Sequence, residues 1–176
     1  QYLSQIDDER FKDGLPYGIV NKKKTDAGGT TIASVCKHNY IIVCPRKELV
    51  NSVCKDKILN VEEVNIHNVE VQGLHSSIDI SEIATYIARN EGKPLKFAVT
   101  WDSFNRLCNE IETMNTMFDF GGLSTFKVVV DEYQMLLDEV GYREEAVFSL
   151  FKRLNKSFAG RYSFLSATPT PEKYMY

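Results

Sequence analysis

"FKVVVDEYQ", residues 126–134, sets three valines in a row and follows them with two adjacent carboxylates. A run that is apolar at successive positions, rather than at every second one, suits a strand covered on both faces. Such strands belong to parallel sheets packed between helices, and ligands of open α/β sheets collect where the strands end. Asp131 and Glu132 stand at that exit. Taken alone, the pair is as readily a solvated strand end or a helix cap. What surrounds it along the chain decides.

Four further runs have the same character: "YGIV" (17–20), "NYIIVC" (39–44), "KFAVTW" (96–101) and "RYSFLSA" (161–167). Segments of helical spacing lie between them. "PRKELVNSVCKDKIL" brings Leu49, Val50, Val53 and Ile58 toward one face. "ISEIATYIARN" starts at an N-cap candidate, Asp79 or Ser81, and stops before Gly92-Lys93-Pro94. "DSFNRLCNEIETM" repeats Phe104, Leu107, Cys108 and Ile111, and "REEAVFSLFKRLNKSF" repeats Val147, Leu150, Phe151 and Leu154. The alternating stretch 61–74 reads as a further strand and 117–126 as a loop. Strand and helix thus alternate from end to end, which predicts an α/β fold: a mostly parallel sheet with right-handed crossovers and helices on both faces. With 176 residues and neither linker nor repeat, residues 1–176 read as one unit.

A net charge of -3 argues against a uniformly basic nucleic-acid coat, but a local basic groove needs only a few cations. No apolar run approaches the roughly 20 residues of a membrane span. Cys36, Cys44, Cys54 and Cys108 form no CxxC pair, and free thiols of a cytoplasmic protein are expected. His38, His67 and His75 are scattered and read as surface or loop residues.

Two other strand exits invite chemistry. "KKKTDAGGTTIAS" (22–34) follows the first strand, and its glycines run into a Thr-Thr pair and a helix. Backbone N–H groups of such a turn can cradle a phosphate. "FLSATPTP" (164–171) ends the last strand in small hydroxyl residues and prolines. Each is unremarkable by itself: a glycine turn is more often than not empty. Together, each after a buried strand, they favour a nucleotide. Thr30 could offer Mg²⁺ a hydroxyl, Asp131 could hold the ion, and Glu132 could deprotonate an attacking water.

In this order, "KTDAGGTT", "VCPRKELV", "VTWDSF", "VVVDEYQ" and "FLSATPTP" resemble motifs I, Ia, Ib, II and III of the superfamily 2 (DEAD/DEAH-like) helicases, closest to divergent types of phages and mobile elements. The resemblance spans roughly residues 16–171, and "DEYQ" and "SATPTP" are its most specific parts. It implies a RecA-like P-loop NTPase lobe that binds ATP and Mg²⁺ at one edge and single-stranded or duplex nucleic acid across its face. Thr25, Asp26, Ala27, Gly28, Gly29, Thr30 and Thr31 would wrap the phosphates, with Thr30 and Asp131 on the metal and Glu132 as catalytic base. Ser166 and Thr168 would couple the nucleotide to the nucleic acid. Pro45, Arg46 and Lys47, with Thr100, Asp102 and Ser103, would touch its backbone, although Arg46 and Lys47 are equally a solvated helical turn.

Two departures stand out. Gly29 occupies the place of the family's phosphate-neutralising lysine, a role that Lys24, or failing that Lys23, could fill from the loop's start; the plain alternative makes Lys22, Lys23 and Lys24 surface charges. The family also continues past "SATPTP" into a second RecA-like lobe, so a partner lobe is expected. Without turnover, the same fold would serve as a nucleic-acid- or protein-binding scaffold. A small-molecule phosphotransferase is the weakest alternative, because it leaves "SATPTP" without a role.

Overall fold

In the computed structural model, which describes residues 13–22, 28–54 and 70–167, every strand pairing is parallel and the order across the sheet is β1-β6-β5-β2-β4-β3. The elements in chain order are β1 (Gly18–Asn21), α1 (Gly29–Val35), β2 (Asn39–Cys44), α2 (Lys47–Cys54), β3 (Gln72–Leu74), α3 (Ser81–Arg89), β4 (Lys96–Thr100), α4 (Phe104–Phe118), β5 (Phe126–Asp131), α5 (Gln134–Phe158) and β6 (Tyr162–Ser166). The chain is thus an α/β protein built on a six-stranded parallel sheet with helices on both faces, as the alternation of runs predicts.

Successive strand residues feed opposite layers. Ile41, Val43, Phe97, Val99, Val128 and Val130 pack with α3, α4 and α5 through Ile83, Phe104, Leu107, Leu136 and Leu150. The intervening Tyr40, Ile42, Ala98 and Val129, with Leu165, meet Ile32 and Ala33 of α1 and Val50 and Val53 of α2. This two-sided burial is why the central strands are apolar at nearly every position; β1 departs from the expectation, since it lies at the sheet edge with Gly18, Ile19 and Asn21 exposed.

Several expectations need correction. Leu49 is exposed; Val50 and Val53 form the inner face of α2, and Ile58 lies outside the described residues. His75 is buried, its Nε2 3.2 Å from the side-chain oxygen of Asn51, so it is no surface residue. Of the stretch 61–74, Gln72–Leu74 forms β3, and 61–69 lie outside the described residues. Helix α5 begins at Gln134 rather than Arg143, and Arg143 marks a kink just after Gly141. At α3 neither cap candidate holds: Ile80 is the N-cap residue, with no side-chain cap, and the Asp79 carboxylate just before it accepts the Ser81 N–H at 2.8 Å. The four cysteines are free, Cys44 and Cys108 in the core. No described helix is long and apolar enough to cross a membrane.

Lys96 opens β4 and is fully buried. Its ammonium donates to the carbonyls of Ala33 (3.0 Å), Cys36 (2.7 Å) and His38, the last turn of α1 and its exit. Burial lowers the Lys96 pKa, but these oxygens give the charge partners at a helix C-terminus, where a cation is favoured. The other end of α1 is thereby held over the carboxyl edge of the sheet. Lys96→Met keeps the apolar stem and orphans the carbonyls; it is expected to lose roughly 3 kcal/mol. In thermal melts that corresponds to a midpoint roughly 10 °C lower. A shift within about 1 °C would remove Lys96 from the anchoring of α1.

Candidate functional site

The parallel order carries β1, β6 and β5 out of the sheet side by side on one edge. Asn21 is level with Ser166, and Leu165 with Asp131. Lys22, one residue beyond β1, continues the ladder: its N–H donates to the Ser166 carbonyl at 2.8 Å. Its Cα is therefore fixed at the tip, and only the side chain is left to choose a direction. β1 and β5 are separated by β6, two strand spacings or roughly 10 Å. A long side chain can cross that gap. Lys22 does so, passing the end of β6 to donate from Nζ to Asp131 Oδ1 at 2.7 Å and Glu132 Oε1 at 2.5 Å.

The trio is largely withdrawn from water, the side chains of Lys22, Asp131 and Glu132 being 6%, 13% and 19% exposed. Glu132 adopts φ 49°, a left-handed conformation that a residue with a Cβ rarely takes. Local strain of that kind costs about 1–3 kcal/mol. It is opposed by a set of contacts: the Glu132 N–H donates to Asp131 Oδ1 at 3.1 Å, and Gln134 Nε2 donates to Glu132 Oε2 at 2.5 Å. The Tyr133 N–H reaches the Leu165 carbonyl at 3.2 Å. The left-handed turn reverses the chain at the strand tip, so the carboxylates of consecutive residues meet the same ammonium.

Charge follows geometry. Burial works against the Lys22 ammonium, but Asp131 and Glu132 outweigh it and raise the Lys22 pKa. Burial also opposes ionisation of Glu132, and the hydrogen bonds from Lys22 and Gln134 overcome it, lowering that pKa. At Asp131 the balance runs the other way: burial raises its pKa against the pull of Lys22.

Beside this cluster, Gly28 precedes α1 with φ 84°, a conformation glycine adopts without penalty, and its carbonyl accepts the Ile32 N–H at 3.0 Å. Gly29 lies against β6. A Cβ at that position would stand 2.7 Å from Cδ1 of the fully buried Leu165. Thr30 and Thr31 follow, half-buried, in the first turn of α1, and Ser166 is buried at the end of β6. Lys23, Lys24, Thr25, Asp26, Ala27 and Thr168 lie outside the described residues.

The rest of the edge carries the residues expected to meet nucleic acid. Pro45, Arg46 and Lys47 leave β2, next to β5, with Pro45 buried and both cations exposed. Thr100 ends β4 and is buried, as is Ser103, which closes a 3-10 turn ahead of α4. Asp102 alone of that group is exposed, and its carboxylate lies 3.3 Å from the Arg143 guanidinium. The open groove beside it, about 790 Å³, is lined by three carboxylates (Asp102, Glu144, Glu145) and one cation, Arg143. That balance is acidic, whereas Arg46 and Lys47 present exposed positive charge.

Sequence reasoning missed Lys22 and Gln134. The signal for Lys22 was present: it is the first residue past an apolar strand, the rule that singled out Asp131. Glycine spacing drew attention to the far end of the loop instead. Among the described residues no three His, Cys, Asp or Glu side chains converge as a metal cluster. Asp131 and Glu132 are hard oxygen donors, and one or two carboxylates with substrate phosphates suffice for Mg²⁺. The site therefore fits that ion in donor type. No family model matches the chain, and no curated protein matches it.

Lys22→Met leaves two enclosed carboxylates facing each other and is expected to lose about 3 kcal/mol at neutral pH. The pKa of Lys22 is raised above its ordinary 10.5, so the stabilisation is complete below that value and disappears as pH climbs through the higher folded one. Denaturant titrations of both proteins from about pH 8 to about pH 12 should show their difference shrinking at the alkaline end. A difference independent of pH contradicts the ion-pair account.

Proposed function

We propose that the chain is the ATP-binding lobe of a helicase-like, nucleic-acid-dependent ATPase of RecA-like type. The observation that carries this reading is the meeting of Lys22, Asp131 and Glu132 where β1 and β5 emerge on either side of β6. A cation and two carboxylates, enclosed at adjoining tips of a parallel sheet and held by a strained residue, are costly as a device of stability. They suit a ligand that is both anionic and metal-bound.

In this reading Asp131, with the Thr30 hydroxyl, holds Mg²⁺, which supplies positive charge to the phosphates when bound. Glu132 takes a proton from a water molecule. The water oxygen bonds to the γ-phosphorus, the bond from that phosphorus to the bridging oxygen breaks, and ADP leaves with the electron pair. Gln134 fixes the orientation of Glu132, and the left-handed backbone keeps its carboxylate turned back over the edge. Ser166, between the two functional tips, is the residue through which the nucleotide state reaches the rest of the sheet, with Thr168 beside it in sequence. Arg46 and Lys47 offer charge to a nucleic-acid strand, and a second RecA-like lobe would complete both its groove and the cationic side of the nucleotide site.

One observation favours the runner-up, a scaffold of the same fold without turnover: Gly29 leaves the loop without its lysine. Calorimetric titration with ATP and Mg²⁺ separates the two. Binding in the micromolar to low millimolar range is expected, and no heat at millimolar nucleotide supports the scaffold. Glu132→Gln should retain nucleotide binding while cutting nucleic-acid-stimulated phosphate release by about 10²-fold or more. Undiminished release would remove Glu132 as the base.

A further inference from the structure

We infer that Lys22 is the side chain that neutralises the triphosphate, in place of the loop lysine that Gly29 replaces; the inference rests on the nucleotide reading above. Three observations converge on it.

The position of Gly29 is closed. Even a Cβ there falls 2.7 Å from Leu165 Cδ1, and Leu165 is fully buried against α1 and neighbouring strands. A lysine at 29 would require the Leu165 side chain to move from its place in the core. The loop has traded its cation for close packing, and the charge has to come from another direction.

Lys22 offers one. Its backbone is tied to Ser166, so its stem rises from a fixed point at the tip of β1, directly beside β6. The four-carbon stem sweeps an arc of roughly 6 Å. That arc runs from the carboxylates of β5, where the ammonium rests, back past the end of β6, against which Gly29 packs. Among the described residues, Lys22 is the cation that touches Asp131 and Glu132.

The third observation is the charge count of the trio. One ammonium faces two carboxylates, leaving a unit of negative charge uncompensated. Such a group gains from a further cation and then no longer needs Lys22 on both oxygens. Uptake of a cation at Asp131 and release of the ammonium toward an anion are therefore favourable together, which matches a ligand that arrives as metal and polyphosphate.

The test measures binding, not turnover. Magnesium with ATPγS, a slowly hydrolysed analogue, is titrated calorimetrically into the wild type, Glu132→Gln, the double variant Glu132→Gln/Lys22→Met, and Lys24→Ala. The Glu132→Gln background leaves one carboxylate rather than two when the ammonium is removed, and near-ultraviolet circular dichroism checks its fold. Lys22→Met in that background is expected to weaken ATPγS binding about 10–100-fold. Binding within about threefold of Glu132→Gln, or a loss that appears in Lys24→Ala instead, overturns the inference while leaving the nucleotide reading intact. Absence of binding by the wild type overturns both. Should the double variant fail to fold, Lys22→Arg retains the positive charge; a tenfold weaker affinity for ATPγS supports Lys22, since a fork anchored on carboxylates is not a mobile point charge, and unchanged affinity rejects it.

Discussion

One ammonium between two carboxylates organises the carboxyl edge of this sheet. Lys22 can reach Asp131 only because β6, last in sequence, inserts between β1 and β5, and because all three strands run the same way. Antiparallel pairing would put the tips at opposite edges; direct pairing of β1 with β5 would leave the long side chain nowhere to extend. The contact is thus a readout of topology as well as a piece of chemistry. It also explains why Glu132 tolerates a left-handed backbone: the Lys22 and Gln134 contacts hold the carboxylate against the strain.

Support for the site comes from behind as well. Lys96, deep in the opposite end of the sheet, holds the carbonyl end of α1 and so sets where Gly28 and Gly29 meet Leu165. The two lysines serve opposite edges of the sheet. Lys96 holds the C-terminal turn of α1 in place, and Lys22 joins the tips of β1 and β5. Lys96 touches only backbone oxygens and a thiol and has a structural role. Lys22 touches two side-chain carboxylates, the groups to which the proposed function gives a role.

The layered fold was legible because buried parallel strands leave a strong local mark. "NYIIVC", "KFAVT" and "FKVVVD" are apolar on both faces, and each was found where it was read. Local pattern also located Asp131, Glu132 and Ser166 at strand exits. What could not be read locally was partnership. Nothing near Lys22 in sequence announces Asp131, more than a hundred residues away, and strand order is what joins them. Leu49 was misread for the opposite reason: apolar character predicts burial on average, while Val50 fills that particular place; His75 lies in a loop as read, but buried beside Asn51. The first half of α5 was hidden by Gly141, which interrupts the periodicity at the kink. Thr100 and Ser103 were assigned to a surface they do not reach, since a hydroxyl at a strand tip serves turn and core as readily as a ligand.

The enzyme and scaffold readings differ in what they ask of Lys22. A scaffold needs it to remain where it is; a nucleotide site needs it to let go. A crystal structure of the chain grown with Mg²⁺ and a non-hydrolysable ATP analogue decides between them most directly. The account predicts the triphosphate at the tips of β1, β6 and β5, the metal on Asp131, and the Lys22 ammonium within hydrogen-bonding distance of a phosphate oxygen. Nucleotide bound elsewhere, or bound there with Lys22 still on both carboxylates, would contradict it.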